Sequence, residues 1–64
     1  MTFRDFWNLY TYDDSEFFIY IVNDKCLVEA TGFYTNLARH YNLKEVYKVD
    51  LDYIHNTATF YLRS

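Results

Sequence analysis

The sequence has no proline, one glycine and one cysteine among its 64 residues. With so few residues that break helices and strands, we expect short loops and no linker. One cysteine excludes a disulfide scaffold, and together with only two histidines it excludes a four-ligand Cys/His zinc site. No apolar run approaches the roughly 20 residues that a membrane-spanning helix needs. We therefore expect one domain over residues 1–64, in a cytoplasmic protein with no membrane segment and no cofactor.

Positive charge is also scarce, with six Lys and Arg against nine Asp and Glu and a net charge of −3. The cations are spread along the chain: Arg4, Lys25, Arg39, Lys44, Lys48 and Arg63. A surface with this balance repels nucleic acid unless its cations gather in one patch. The sequence therefore disfavours direct binding of nucleic acid or of an anionic membrane, and it favours a basic protein surface as partner.

Aromatic residues are abundant, at 23% of the chain, and hydrophobic residues make up 52%. This composition excludes a disordered chain, because disordered chains lack aromatic and β-branched residues. The first apolar residues recur at helical spacing: Phe3, Phe6, Trp7 and Tyr10. Thr2 and Asp5 just before and within this stripe resemble a capping box, so we predict a short amphipathic helix beginning near Phe3.

A first hairpin is predicted from residue 17 onward. Residues 17–22 are rich in aromatic and β-branched side chains, and Asn23-Asp24 suits a two-residue turn. This turn pairs Ile21 with Cys26, Ile19 with Val28 and Phe17 with Ala30, and it buries Cys26 as an inert thiol. The other face of the hairpin then carries a mixed set: Phe18, Tyr20, Val22, Lys25, Leu27 and Glu29.

A second helix and a second hairpin follow. The spacing predicts a helix over residues 33–41, capped by Asn42. A two-residue turn at His55-Asn56 then pairs inward-facing residues: Val49 with Leu62, Leu51 with Phe60 and Tyr53 with Ala58. The predicted fold is α+β, a two-layer sandwich of order αββαββ, with a four-stranded largely antiparallel sheet and two short helices on one face. The strand order stays open.

No catalytic or metal site is predicted. Neither His40 nor His55 has a nucleophile or a second ligand at a motif spacing, so the sequence indicates a non-enzymatic protein. Two acidic clusters stand out: Asp13, Asp14 and Glu16, and then Asp50 and Asp52. They lack the spacing and the glycine of a calcium loop. They are either solvated surface groups or carboxylates that a basic partner protein meets, which would steer association.

The mixed sheet face is the strongest functional signal in the sequence. We predict that it binds a partner protein, with Phe18, Tyr20 and Tyr61 as aromatic anchors beside the two acidic clusters. Two alternatives remain open. In the first, a chain terminus or a second copy in a homodimer covers this face. In the second, the face stacks single-stranded bases, although the rows of Lys and Arg that usually flank such a surface are missing.

The chain resembles the short, acidic, aromatic-rich proteins of bacteriophages and mobile elements, a group that includes anti-CRISPR proteins. The similarity lies in the length, the negative charge, the opening Thr-Phe-Arg-Asp-Phe helix (residues 2–6) and the hairpins around Asn23-Asp24 and His55-Asn56. The resemblance implies a stoichiometric inhibitor that occupies the basic nucleic-acid-binding groove of a host effector, such as a CRISPR nuclease, or holds its domains apart. The alternative function is a homo-oligomeric structural or regulatory accessory protein.

Overall fold

The computed structural model describes residues 1–10 and 17–63. Its elements follow the predicted order: α1 (Phe3–Tyr10), β1 (Phe18–Val22), β2 (Val28–Gly32), α2 (Tyr34–Tyr41), β3 (Val46–Asp52) and β4 (Thr57–Leu62). The capping box is confirmed, because the Asp5 backbone N–H donates to Thr2 Oγ1 and the Thr2 N–H donates to Asp5 Oδ2, both at 3.2 Å. The α+β sandwich predicted from the sequence is therefore the observed fold.

The four strands lie in the order β2-β1-β4-β3. The two outer pairings, β1 with β2 and β3 with β4, are antiparallel, whereas the central strands β1 and β4 run parallel. Both helices pack on one face of this sheet, where the Phe3 ring of α1 meets the Phe60 ring of β4 at a centroid distance of 4.6 Å. The largest fully buried side chains are Phe3, Phe17, Ile19, Ile21, Val46 and Phe60.

The first hairpin differs from the prediction in its turn. Asn23 Oδ1 accepts hydrogen bonds from the backbone N–H groups of Lys25 and Leu27, and the chain closes through a longer loop. Cys26 lies in this loop with a φ of 63° and is exposed, so its predicted burial is wrong. Ile21 consequently pairs with Ala30 rather than with Cys26. The longer loop has a local cause, because the Asn23 side chain accepts hydrogen bonds from two loop amides that would otherwise have to pair between the strands.

The second hairpin also has a longer turn than predicted. Residues 53–56 form it, and Asp52 Oδ1 accepts backbone hydrogen bonds from Ile54 and His55. Leu51 therefore pairs with Ala58 instead of Phe60. Since this shift is by two residues, every strand side chain keeps its predicted face. Tyr53 is the exception, because it leaves the strand for the turn and is 65% exposed instead of inward-facing.

Irregularities in both outer strands move individual side chains. In β2 the pairing shifts next to Glu29, which accepts a 2.9 Å hydrogen bond from the Tyr41 hydroxyl of α2. Glu29 thus lies toward the helices and not on the mixed face where it was predicted. In β3 the pairing shifts between Val46 and Lys48, which leaves Tyr47 as an extra residue. At the end of β2, Gly32 has a φ of 148°, a conformation that other residues rarely adopt.

Candidate functional site

The sheet face opposite the helices is here called the open sheet face. Paired strand residues share a face, so the registers place Thr31, Tyr20, Thr59 and Asp50 in one row across the four strands. The row on one side of it contains Phe18, Thr57 and Asp52, and the row on the other side contains Val22, Tyr61 and Lys48. Val22 was predicted to be exposed here, but it is only 7% exposed and is not available as a contact.

Five of the eight residues predicted to bind a partner lie together on this face. They come from three strands and lie in three consecutive rows of the sheet: Phe18, Tyr20, Asp50, Asp52 and Tyr61. The remaining three lie outside the described residues: Asp13, Asp14 and Glu16. The structure therefore supplies one contiguous surface for the five, and their role in binding stays a prediction.

An aromatic cluster forms one side of the open sheet face. The Phe18 ring meets Tyr20 at a centroid distance of 5.3 Å and Phe33 at 5.6 Å, both edge to face. Phe18 and Tyr20 are half-buried, and Phe33 is 45% exposed. The three rings hold each other in place and keep part of their surface accessible. Such a pre-ordered cluster loses little side-chain entropy when a partner covers it.

The Asp50 carboxylate forms a hydrogen bond and an ion pair with side chains of the same sheet face. Its Oδ2 accepts a 3.2 Å hydrogen bond from the Tyr61 hydroxyl and lies 3.8 Å from Lys48 Nζ. Partial desolvation, followed by the bond to Asp50, raises the pKa of Tyr61 above its ordinary value of 10.0. The Tyr61 hydroxyl therefore remains protonated at neutral pH and serves as a fixed donor, which orients the ring on the sheet.

The Asp52 carboxylate also has partners within the chain, because it accepts hydrogen bonds from residues of the β3–β4 turn. Besides its two backbone hydrogen bonds, its Oδ2 lies 2.8 Å from His55 Nδ1. The side-chain hydrogen bond of His55, and then the backbone bond of His55, lower the pKa of Asp52 below its ordinary value of 3.8. Asp52 is thus a turn-capping residue, so its carboxylate is less free to meet a partner than the sequence predicted.

The hydrogen bonds of this turn make the contribution of Asp52 to stability depend on pH. A carboxylate whose pKa is lowered by folding stabilises the folded state above its unfolded pKa, and this stabilisation disappears as the pH falls through the lowered value. We expect NMR titration of the side-chain carboxyl of Asp52 to give a pKa below 3.8, and His55→Ala to move it back toward 3.8. Asp5 is the internal control, since its lowered pKa depends first on hydrogen bonds from Thr2 and should not change in this variant. An unchanged Asp52 in His55→Ala would contradict this account of the turn.

A second cluster on the open sheet face was not predicted from the sequence. We call it the cation–tyrosine cluster: Tyr47, Lys48, Tyr61 and Arg63. Lys48 Nζ lies 5.0 Å from the centroid of the Tyr61 ring, and Arg63 Cζ lies 5.9 Å from that of Tyr47. The two rings are 6.2 Å apart. Lys48 and Arg63 are distant in sequence, but the fold brings them to two neighbouring tyrosine rings. Alternation placed Lys48, Tyr61 and Arg63 on the outer face, but no sequence signal revealed the irregularity that brings Tyr47 to them.

Within residues 1–10 and 17–63, no three His, Cys, Asp or Glu side chains are grouped so that they could hold a metal ion. Neither helix in this part of the chain has the length and apolar character needed to cross a membrane. No protein-family model matches the sequence, and comparisons with curated proteins and with solved structures found no match.

Proposed function

We propose that this protein is a small non-enzymatic inhibitor that binds a nucleic-acid-binding effector in the cytoplasm of a bacterial cell. The effector we propose is a nuclease such as a CRISPR effector, and the inhibitor occupies its basic groove with the open sheet face. The observation that carries the proposal is the aromatic cluster, in which Phe18, Tyr20 and Phe33 are pre-ordered and partly accessible on a face without helices.

The aromatic cluster supports a protein partner. Phenylalanine and tyrosine bring a large contact area at a low entropy cost, and the energy of protein interfaces concentrates in a few such residues. Phe18 and Tyr20 project from β1, one of the two central strands, so a partner would meet them on a rigid support. We therefore assign the main binding energy to Phe18 and Tyr20.

The charges have a different role in this proposal. The net charge of −3 attracts a basic surface over a distance and raises the association rate. Asp50 and Asp52 already have partners within the chain, at Tyr61, Lys48 and His55. Their contribution is consequently steering more than close contact. Asp13, Asp14 and Glu16 are the remaining acidic residues of the predicted surface.

The test is a titration of the purified protein into guide-loaded CRISPR nucleases, with cleavage of target DNA as the readout. We expect one of these enzymes to lose activity at a stoichiometric ratio. The double variant Phe18→Ala/Tyr20→Ala should weaken inhibition by about 30-fold or more, since anchors of this kind contribute about 2 kcal/mol or more. The matched control is Tyr53→Ala/Ile54→Ala, which removes two side chains that are 65% and 89% exposed in the β3–β4 turn.

Two results would contradict the proposal. One is a panel in which no enzyme is inhibited by an excess of the protein. The other is equal inhibition by wild type and Phe18→Ala/Tyr20→Ala, with folding of both verified by circular dichroism. Light scattering at high micromolar concentration tests the alternative function. A dimer that Phe18→Ala/Tyr20→Ala dissociates would assign the aromatic cluster to self-association instead.

A further inference from the structure

The cation–tyrosine cluster is chemically distinct from the rest of the open sheet face. Within residues 1–10 and 17–63, the one ion pair of Lys48 is with Asp50, at 3.8 Å, and Arg63 forms none. Both cations lie on tyrosine rings, which restrain them. The charge of Lys48 is partly balanced by Asp50, whereas that of Arg63 is not. The cluster therefore combines two positive groups with aromatic surface in a chain that is negative overall.

We propose that the cation–tyrosine cluster binds single-stranded nucleic acid. In this arrangement a base stacks on the Tyr47 ring, which belongs to a residue that is 53% exposed, and the adjoining phosphates meet Lys48 and Arg63. A sheet face with exposed aromatic rings beside basic side chains is a recurrent platform for unpaired bases. This site goes beyond the inhibitor function proposed above and does not depend on it.

The geometry of β3 and β4 favours single-stranded nucleic acid over an acidic peptide as the ligand. The irregularity in β3 makes Tyr47 and Lys48 neighbours on one face, where Tyr61 of β4 lies beside both. The Tyr61 ring is fixed by its hydrogen bond to Asp50. An acidic peptide would use the two cations alone, whereas a nucleotide strand uses the cations and the exposed ring together.

The number of cations sets the expected strength of binding. Each neutralised phosphate of a single strand contributes about −0.7 to the slope of log affinity against log salt, so two contacts give about −1.4. The affinity should thus fall about 7-fold between about 50 and 200 mM salt. The net charge of −3 opposes binding, so we expect a salt-sensitive interaction that is best measured at low ionic strength.

The experiment is fluorescence anisotropy of a labelled oligothymidylate with the full chain over a salt series. We expect Lys48→Gln and Arg63→Gln each to reduce the magnitude of the slope by about 0.7. Tyr47→Ala should lower the affinity about 5-fold or more at every salt concentration, because it removes the stacking surface. The matched controls are Arg39→Gln on α2, with the same loss of charge, and Tyr53→Ala in the turn; both should resemble wild type.

Several results would overturn this assignment. They are a slope near zero for wild type, an equal effect of Arg39→Gln and Arg63→Gln, and an affinity that Tyr47→Ala does not change. Binding of polyglutamate in place of the oligonucleotide would also overturn it and would assign the cluster to an acidic protein segment. Failure of the inhibitor proposal is distinguishable, because Phe18→Ala/Tyr20→Ala alters the aromatic cluster and leaves Lys48, Tyr47 and Arg63 in place.

Discussion

Replacing Phe60 by alanine is expected to destabilise the fold more than any other single change on the sheet. Truncating a buried Phe costs about 3–5 kcal/mol. A domain of 64 residues has a free energy of unfolding of roughly 3–10 kcal/mol, at about 0.05–0.15 kcal/mol per residue. Phe60→Ala should therefore remove about a third or more of this free energy of unfolding, and at the lower end of the range it unfolds the protein at room temperature.

The position of Phe60 explains the size of this effect. It is fully buried in β4, it pairs with Ile21 of β1 and Val49 of β3, and its ring contacts Phe3 of α1. One side chain thus connects three strands and a helix. A cavity here cannot be filled by one neighbour without moving another element.

Urea denaturation followed by circular dichroism measures this effect. Phe33→Ala is the matched control, because the same atoms are removed from a residue that is 45% exposed, and we expect a loss of about 1 kcal/mol or less. Equal midpoints for Phe60→Ala and Phe33→Ala would show that the packing around Phe60 has been misassigned.

The second large effect is expected at Trp7. Trp7 is 4% exposed, and its ring stacks on Tyr34 of α2 at a centroid distance of 4.4 Å and an interplanar angle of 10°. With 8 residues, α1 is shorter than the roughly 12–15 that an isolated helix needs. Trp7→Ala should thus detach α1 and cost about 3–5 kcal/mol.

Hydrogen exchange distinguishes detachment of α1 from general unfolding. In Trp7→Ala the amides of α1 should lose protection, together with the Val46 amide that donates to the Met1 carbonyl at 2.7 Å. Leu9→Ala, on the same helix but at a position that is 60% exposed, should leave protection unchanged. Retained protection of α1 in Trp7→Ala would mean that Tyr34 and Phe3 alone hold the helix.

Much of the fold was predictable because alternation along a regular stretch of strand sets the face of each side chain. Phe60, Leu51 and Ile21 face the helices as predicted, although each has a different partner from the one expected. The turn lengths were not predictable, since they depend on the side-chain hydrogen bonds of Asn23 and Asp52. A pattern of apolar residues carries no information about these bonds.

The candidate site was predictable to a similar degree. Alternation placed Phe18, Tyr20 and Tyr61 on one face, but it could not reveal that β1 and β4 are neighbours, because their parallel pairing joins distant parts of the chain. The cation–tyrosine cluster depends on this pairing less than on the extra residue at Tyr47. Such an insertion reverses the alternation of faces on one side of it, so Val46 is buried and Tyr47 is exposed, and no sequence pattern shows where it occurs.

The parallel pairing of β1 and β4 has a consequence for synthesis of the protein. β4 is the last element in chain order, yet it lies between β1 and β3. A nascent chain that ends before residue 57 has two strands whose inner edges lack a partner, and its Ile19 and Ile21 have no strand beside them on that side. The four-stranded sheet can therefore be completed only after residues 57–62 have left the ribosome.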